Sequence, residues 1–265
     1  METKQKTILN VTDLSKYLYC PRQFYLEKVL GVKKPMTKEM AEGRIRHSVL
    51  ELFSNNERRV IEQIESKEGV EQKFKEFLKE AINHAFYENE QIINNFKINK
   101  EELAGKIEKQ INKEIILRVK AIENTLKKGF FGKELWENLE PKYYSEFMVS
   151  SDSLGLKGRV DRLVIDKKEI IPFELKSREI DRVFESDEIQ VSAYVMLLEH
   201  YFDRKVDFGV LEAGDTRFQI EVDDNKRKKV LELINEIQTN LSKKFPSSFA
   251  KCEKCGYKKE CDELE

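Results

Sequence analysis

The chain has 265 residues, of which 40% are hydrophobic, 10% aromatic and 37% charged. That is too apolar and too aromatic for a disordered chain, and long enough for one well-cored domain or a domain with a large insertion. Forty-eight Lys and Arg against 49 Asp and Glu leave a net charge of −1, which excludes a uniformly basic nucleic-acid coat but allows a local basic groove. The apolar stretches, such as Val191–Leu198, are far short of a membrane span. The N-terminal METKQKTILN has no apolar core with a small-residue cleavage site. A soluble, cytoplasmic protein with no membrane partner is expected.

In chain order, residues 10–54 open with one predicted helix, TDLSKYLYCPRQFYLEKV, capped by Thr12 or Asp13, with Leu14, Tyr17 and Leu18 on one face. A turn at Gly31–Pro35 leads to a second helix through MAEGRIRHSVLELF. Residues 55–138 are polar and helical. Phe74, Phe77, Leu78, Ala81, Ile82, Ala85 and Phe86 follow helical spacing, and after a break near Asn94 and Asn95 so do Leu103, Ile107, Ile111, Ile115, Val119 and Ile122. A helical hairpin or small bundle follows, with His84 packed or on its surface rather than a ligand.

From residue 140 the period changes. KYYSEFMVSS, a turn at Asp152–Gly155, LKGRVDRLVID, a turn at Lys167 and Lys168, and EIIPFELKSR read as a three-strand meander. A helix over about 187–202, strands near 205–213 and 216–222, and a helix over about 224–244 complete an α/β or α+β domain.

Cys20 stands apart from Cys252, Cys255 and Cys261. In a reducing compartment, three thiols within ten residues suggest a metal site that would tie the start of the domain to its end. Zinc and a cubane iron–sulfur cluster both suit four thiolates. Both flanks are basic, with seven basic against three acidic residues over Arg22–Arg46 and six against one over Lys243–Lys259.

The chemistry lies on the second and third strands. Asp161 ends GRVD, and twelve residues intervene before Glu174 in PFELKS. Residues two apart on a strand share a face, so Glu174 and Lys176 project together. Adjacent strands would bring Asp161 and Glu174 to one hard cation, Mg²⁺ or Mn²⁺. Lys176 would then orient the attacking water, or deprotonate it provided its pKa is depressed. An ordinary cross-strand ion pair is the commoner fate of an isolated D…ExK pattern. Upstream, His47 lies on a helix. Downstream, Gln190 and Tyr194 lie four residues apart on one helical face.

Taken in order, His47, the GRVD of Asp161, the ELK of Glu174–Lys176 and the Gln190/Tyr194 helix resemble the RecB-like branch of the PD-(D/E)xK nuclease superfamily. One Cys before the histidine and three at the end are similar to its iron–sulfur members, above all the CRISPR-associated exonuclease family, the fourth-numbered Cas proteins. The resemblance covers 10–54 and 140–262 and leaves 55–138 uncovered. It implies an α/β fold in which a mixed central sheet is flanked by helices. N-terminal helices (1–54) precede a helical insertion (55–138), a nuclease core (139–245) and a cluster segment (246–265).

By the same resemblance, His47, Asp161, Glu174 and the backbone carbonyl of Leu175 ligate Mg²⁺ or Mn²⁺. Lys176 positions the water, Gln190 and Tyr194 support Lys176 and the DNA backbone, and Glu146 is a weaker auxiliary candidate. Cys20, Cys252, Cys255 and Cys261 hold a structural 4Fe-4S cluster. The substrate is DNA with single-stranded or overhang ends, trimmed exonucleolytically as a CRISPR spacer precursor beside integrase proteins. Tyr17, Tyr19, Phe24 and Tyr25 are candidates for base stacking, at least half of them expected in the core. The same nuclease in repair or recombination is one alternative. A non-catalytic nucleic-acid-binding scaffold holding zinc is another, against which the intact His47–Asp161–Glu174–Lys176 set argues.

Overall fold

The computed structural model describes residues 7–176, 180–214, 216–241, 245–246, 252 and 255–264. In chain order the elements are β1 (Leu9–Asn10), α1 (Val11–Tyr19), α2 (Pro21–Lys28), α3 (Lys38–Glu62), α4 (Val70–Glu88), α5 (Glu90–Phe96), α6 (Lys100–Leu126), α7 (Gly132–Asn138), β2 (Lys142–Ser151), β3 (Leu156–Ile165), β4 (Ile170–Lys176), α8 (Glu185–Phe202), β5 (Phe208–Ala213), β6 (Thr216–Glu221), α9 (Asp224–Asn240) and α10 (Lys258–Asp262). They form two compact units, one of Met1–Pro35, Phe147–Asp161 and Ile170–Glu265, the other of Met36–Glu146 and Arg162–Glu169.

The predicted first helix is broken in two. Cys20 is extended, with φ −161° and ψ 109°, because the ring of Pro21 disfavours a helical conformation in the residue before it. Pro21 then opens α2, where its missing N–H costs nothing. The cap of α1 also differs from expectation. Asn10 is the cap residue, and Asp13 reaches back to accept its backbone N–H at 2.8 Å.

The sheet of the first unit runs β1-β3-β4-β5-β6, with β2 also paired to β3. The strand β1 is parallel to β3, and β4 is parallel to β5 with Glu174 opposite Leu211 and Lys176 opposite Ala213. The last pair, β5 and β6, is antiparallel. The mixed sheet flanked by helices is the expected α/β architecture.

The helix α8 packs against β4, β5, α1 and α9. All residues from Ile189 to Leu198 are buried, as for a helix covered on every side. Two glycines permit this approach. A Cβ on Gly209 would lie 2.5 Å from Val191, and one on Gly158 would lie 2.7 Å from the Tyr194 ring. The predicted end of α9 at 242–244, and residues 177–178 of the predicted third strand, lie outside the described residues.

The second unit is helical. The helix of His47 runs on to Glu62, capped by Thr37, whose hydroxyl accepts the Met40 N–H at 3.3 Å. It packs with α4, α5 and α7. The expected stripes are buried as read, Phe74, Leu78, Ala85, Ile107, Ile111, Ile115 and Ile122 among them, while Phe77 is half-buried and stacks on Phe53 with ring centroids 4.8 Å apart. The break falls at Lys97, in left-handed conformation at φ 49°, rather than at Asn94 and Asn95. His84 is exposed.

Within this unit one ion pair is buried on both sides and a second on one side. Arg118 grips both carboxylate oxygens of Glu57, at 2.5 and 2.8 Å, and Arg162 pairs with Glu114. Both arginines and Glu57 are nearly inaccessible to solvent.

Candidate active site

Residues 156, 158 and 160 on β3 face inward, so the half-buried Asp161 lies on the opposite face. Its Oδ2 accepts the backbone N–H of Leu175 on the neighbouring strand at 2.8 Å. Glu174 and Lys176 share a face of β4, as their spacing required, with Lys176 Nζ 3.2 Å from Glu174 Oε1. Asp161, Glu174 and Lys176 are thus gathered on two adjacent strands in one unit, Asp161 in the middle of β3 and the other two at the end of β4.

The helix α8 contributes two more groups to Lys176. Asp187 Oδ1 lies 3.0 Å from Nζ, and Gln190 Oε1 accepts from it at 3.4 Å. Gln190 also accepts from the Ser15 hydroxyl at 3.3 Å. The Tyr194 hydroxyl donates to the Arg159 carbonyl at 2.9 Å, joining α8 to the strand of Asp161. Asp187 escaped the sequence reading, although ESDEIQVSAY places it one turn ahead of Gln190 on the same helical face.

Burial works against the charge on Lys176, but the Glu174 and Asp187 carboxylates outweigh it, and the group titrates above an ordinary lysine. The condition for Lys176 to act as a base, a depressed pKa, is not met. The geometry suits a fixed ammonium that orients a water and balances charge.

In the second unit, His47 is half-buried on α3 and its Nδ1 lies 2.5 Å from Oε1 of the buried Glu146 on β2. In the first unit, the two hard carboxylates of Asp161 and Glu174 on adjacent strands are donors of the kind that hold Mg²⁺ or Mn²⁺.

All four cysteines line one small cavity in the first unit, with Tyr19, Arg22 and Tyr257 among its walls. Cys20 sits at the joint of α1 and α2, and Cys261 lies on α10. Arg22 donates to Cys261 Sγ at 3.6 Å, and its guanidinium lies 4.9 Å from the Phe245 ring centre. Lining one cavity brings the four thiols to the same region of the first unit, although among the described residues they are not gathered as closely as the ligands of a single ion. Of the aromatic candidates, Tyr17 and Phe24 are core residues packed edge to face, Tyr25 is half-buried against Phe245, and Tyr19 is 59% exposed.

Comparison with known proteins adds three findings. A family model described as the PD-(D/E)XK nuclease superfamily matches residues 8–262. A "CRISPR-associated exonuclease Cas4/endonuclease Cas1 fusion" of Leptospira interrogans serogroup Icterohaemorrhagiae serovar Lai (strain 56601) is 30% identical over 119 residues, or 40% of this chain. The match spans 22% of that relative's length. A solved chain described as "Crystal structure of SSO0001" is 15% identical with a TM-score of 0.40, and the match covers 100% of this chain and 90% of that one.

Proposed function

Because this chain belongs to the PD-(D/E)XK nuclease superfamily, we propose that it is a divalent-metal-dependent deoxyribonuclease of exonuclease type with a structural 4Fe-4S cluster. The observation that carries the reading is the gathering of Asp161, Glu174 and Lys176 on β3 and β4, with Lys176 held by Glu174, Asp187 and Gln190.

In this reading His47, Asp161, Glu174 and the Leu175 carbonyl hold Mg²⁺ or Mn²⁺. The cation supplies a polarised water and neutralises charge on the phosphoryl oxygens. Asp161 is fixed by the Leu175 N–H, which holds one oxygen and so sets the direction of the carboxylate. Lys176, kept as an ammonium, donates toward the water and the scissile phosphate. Gln190 and Tyr194 keep α8 and its Asp187 in register behind that lysine. Cys20, Cys252, Cys255 and Cys261 hold the cluster, which ties the two ends of the first unit together.

The substrate is DNA with single-stranded or overhang ends. The basic runs beside the cysteines attract the backbone, and the exposed Tyr19 offers a ring to an unstacked base. The name of the Leptospira relative supports a place in CRISPR adaptation, trimming spacer precursors beside an integrase.

The test uses protein purified without oxygen. A broad absorption band near 400 nm, with Mn²⁺-dependent shortening of end-labelled single-stranded DNA that is lost in Asp161→Ala, is the expected result. A colourless, zinc-loaded protein that leaves the DNA intact would overturn the reading in favour of a binding scaffold.

A further inference from the structure

Glu146 is buried in the middle of a strand whose nearest even-numbered residues on either side face out. Tyr144, Met148 and Ser150 are exposed along β2, whereas Glu146 is 7% exposed. The cause is the backbone. Glu146 has φ 54°, the left-handed region that side chains with a Cβ disfavour, and this single residue turns inward while the alternation on either side keeps its phase. A glycine would take this conformation without cost. Keeping a glutamate here implies that its side chain is needed inside.

Inside, that side chain meets one imidazole nitrogen. Glu146 Oε1 lies 2.5 Å from His47 Nδ1. With a carboxylate oxygen as the acceptor, this contact places the ring proton on Nδ1. The neutral ring then keeps its lone pair on Nε2. The strand is gripped a second time beside this contact, where the Ser145 backbone N–H donates to the Ser54 hydroxyl at 2.9 Å. Ser54 lies two helical turns beyond His47 on α3, so one helix face holds β2 at two adjacent residues.

We propose that Glu146 is a positioning residue for His47. It fixes the ring orientation and places the proton on Nδ1, so that Nε2 is the atom presented for metal, as carboxylate partners do for ligating histidines elsewhere. This rests on the metal-dependent reading of the protein, in which His47 is a ligand, and it assigns Glu146 an indirect role instead of a place among the ligands.

The test has two arms on the full chain. Glu146→Gly keeps the left-handed backbone and deletes the carboxylate. Glu146→Gln keeps an oxygen that can accept from Nδ1. Imidazole ¹⁵N shifts of the metal-free protein, which has three histidines, report the tautomer directly. His47 is expected to carry its proton on Nδ1 in the parent and in Glu146→Gln, and to move toward the Nε2-protonated form in Glu146→Gly. Mn²⁺ affinity, read by electron paramagnetic resonance, should fall about tenfold or more in Glu146→Gly and recover largely in Glu146→Gln.

An Nε2-bound proton in the parent overturns the proposal, as does an unchanged tautomer in Glu146→Gly. Equal loss of affinity in both variants would make Glu146 a charged ligand in its own right. A parent protein that binds no Mn²⁺ would sink the nuclease reading instead, while the tautomer measurement still decides the role of Glu146 toward His47.

Discussion

The Tyr257 hydroxyl donates to Glu27 Oε1 at 2.6 Å, joining residues 230 positions apart. Tyr257 is almost fully buried. Burial and the Glu27 carboxylate both push its phenol above the ordinary tyrosine value. Burial pulls Glu27 up, but hydrogen bonds from Lys16 and Tyr257 outweigh it and leave the carboxyl below its ordinary value. The wall of the cysteine cavity is therefore tied to α2 by protein groups alone.

Tyr257→Phe removes that bond and leaves a carboxylate short of one donor. The expected loss is about 1 kcal/mol, on the order of the net value of a buried hydrogen bond, measured by urea unfolding. The sign of its pH dependence follows from the two shifts. Glu27 has a depressed folded pKa, so its contribution is full above the ordinary carboxylate range and is lost as pH falls through the lower folded value. Tyr257 has a raised one, so its contribution is full below the ordinary tyrosine value and is lost above it. The gap between parent and variant should hold across the neutral range and narrow in acid. A gap that widens in acid would contradict the assignment.

Lys176 is expected to act as a cation. Lys176→Met should lower DNA cleavage by about 10²–10³-fold, the usual cost of deleting one preorganised electrostatic donor. Because Glu174 and Asp187 hold its pKa up, the alkaline limb contributed by Lys176 should lie above the ordinary lysine value. Asp187→Asn removes one of those carboxylates, and the limb should move to lower pH. An unchanged pH–rate profile in Asp187→Asn would argue that Asp187 does not act on Lys176.

The Arg118–Glu57 pair gives a stability prediction in the helical unit. Removing one partner strands a buried charge, and Arg118→Met or Glu57→Gln should each cost about 3–5 kcal/mol. The double variant should cost less than the sum of the two, because neither charge is then left alone. Additive losses in chemical denaturation would show that the two side chains are not coupled.

Tyr19 is the exposed ring at the cysteine cavity. Tyr19→Ala should weaken binding of single-stranded DNA by about 1–3 kcal/mol, the range measured for one stacked base, with the melting temperature unchanged. Tyr17→Ala, at a buried ring that donates to Glu236, should destabilise the fold instead. If the two variants exchange behaviours, the placement of the stacking ring is wrong.

Much of this protein is legible in its residues taken in order. Local periodicity reports which face of an element is apolar, so β2, β3, β4, α8 and the stripes of α4 and α6 could be read from the chain. The shared face of Glu174 and Lys176 follows from the two-residue period of a strand, and the break at Cys20–Pro21 was there to be read in the steric rule for a residue before proline. What the chain could not declare are the pairings made across elements and one conformation that runs against local preference. Asp187 reaches Lys176, and Tyr257 reaches Glu27, because separate elements pack where they do. Glu146 faces inward because a left-handed backbone angle, unfavourable for glutamate taken alone, is held in place by the contacts its side chain makes with α3. Spacing encodes direction along one element, whereas the meeting of two elements depends on the packing of everything between them.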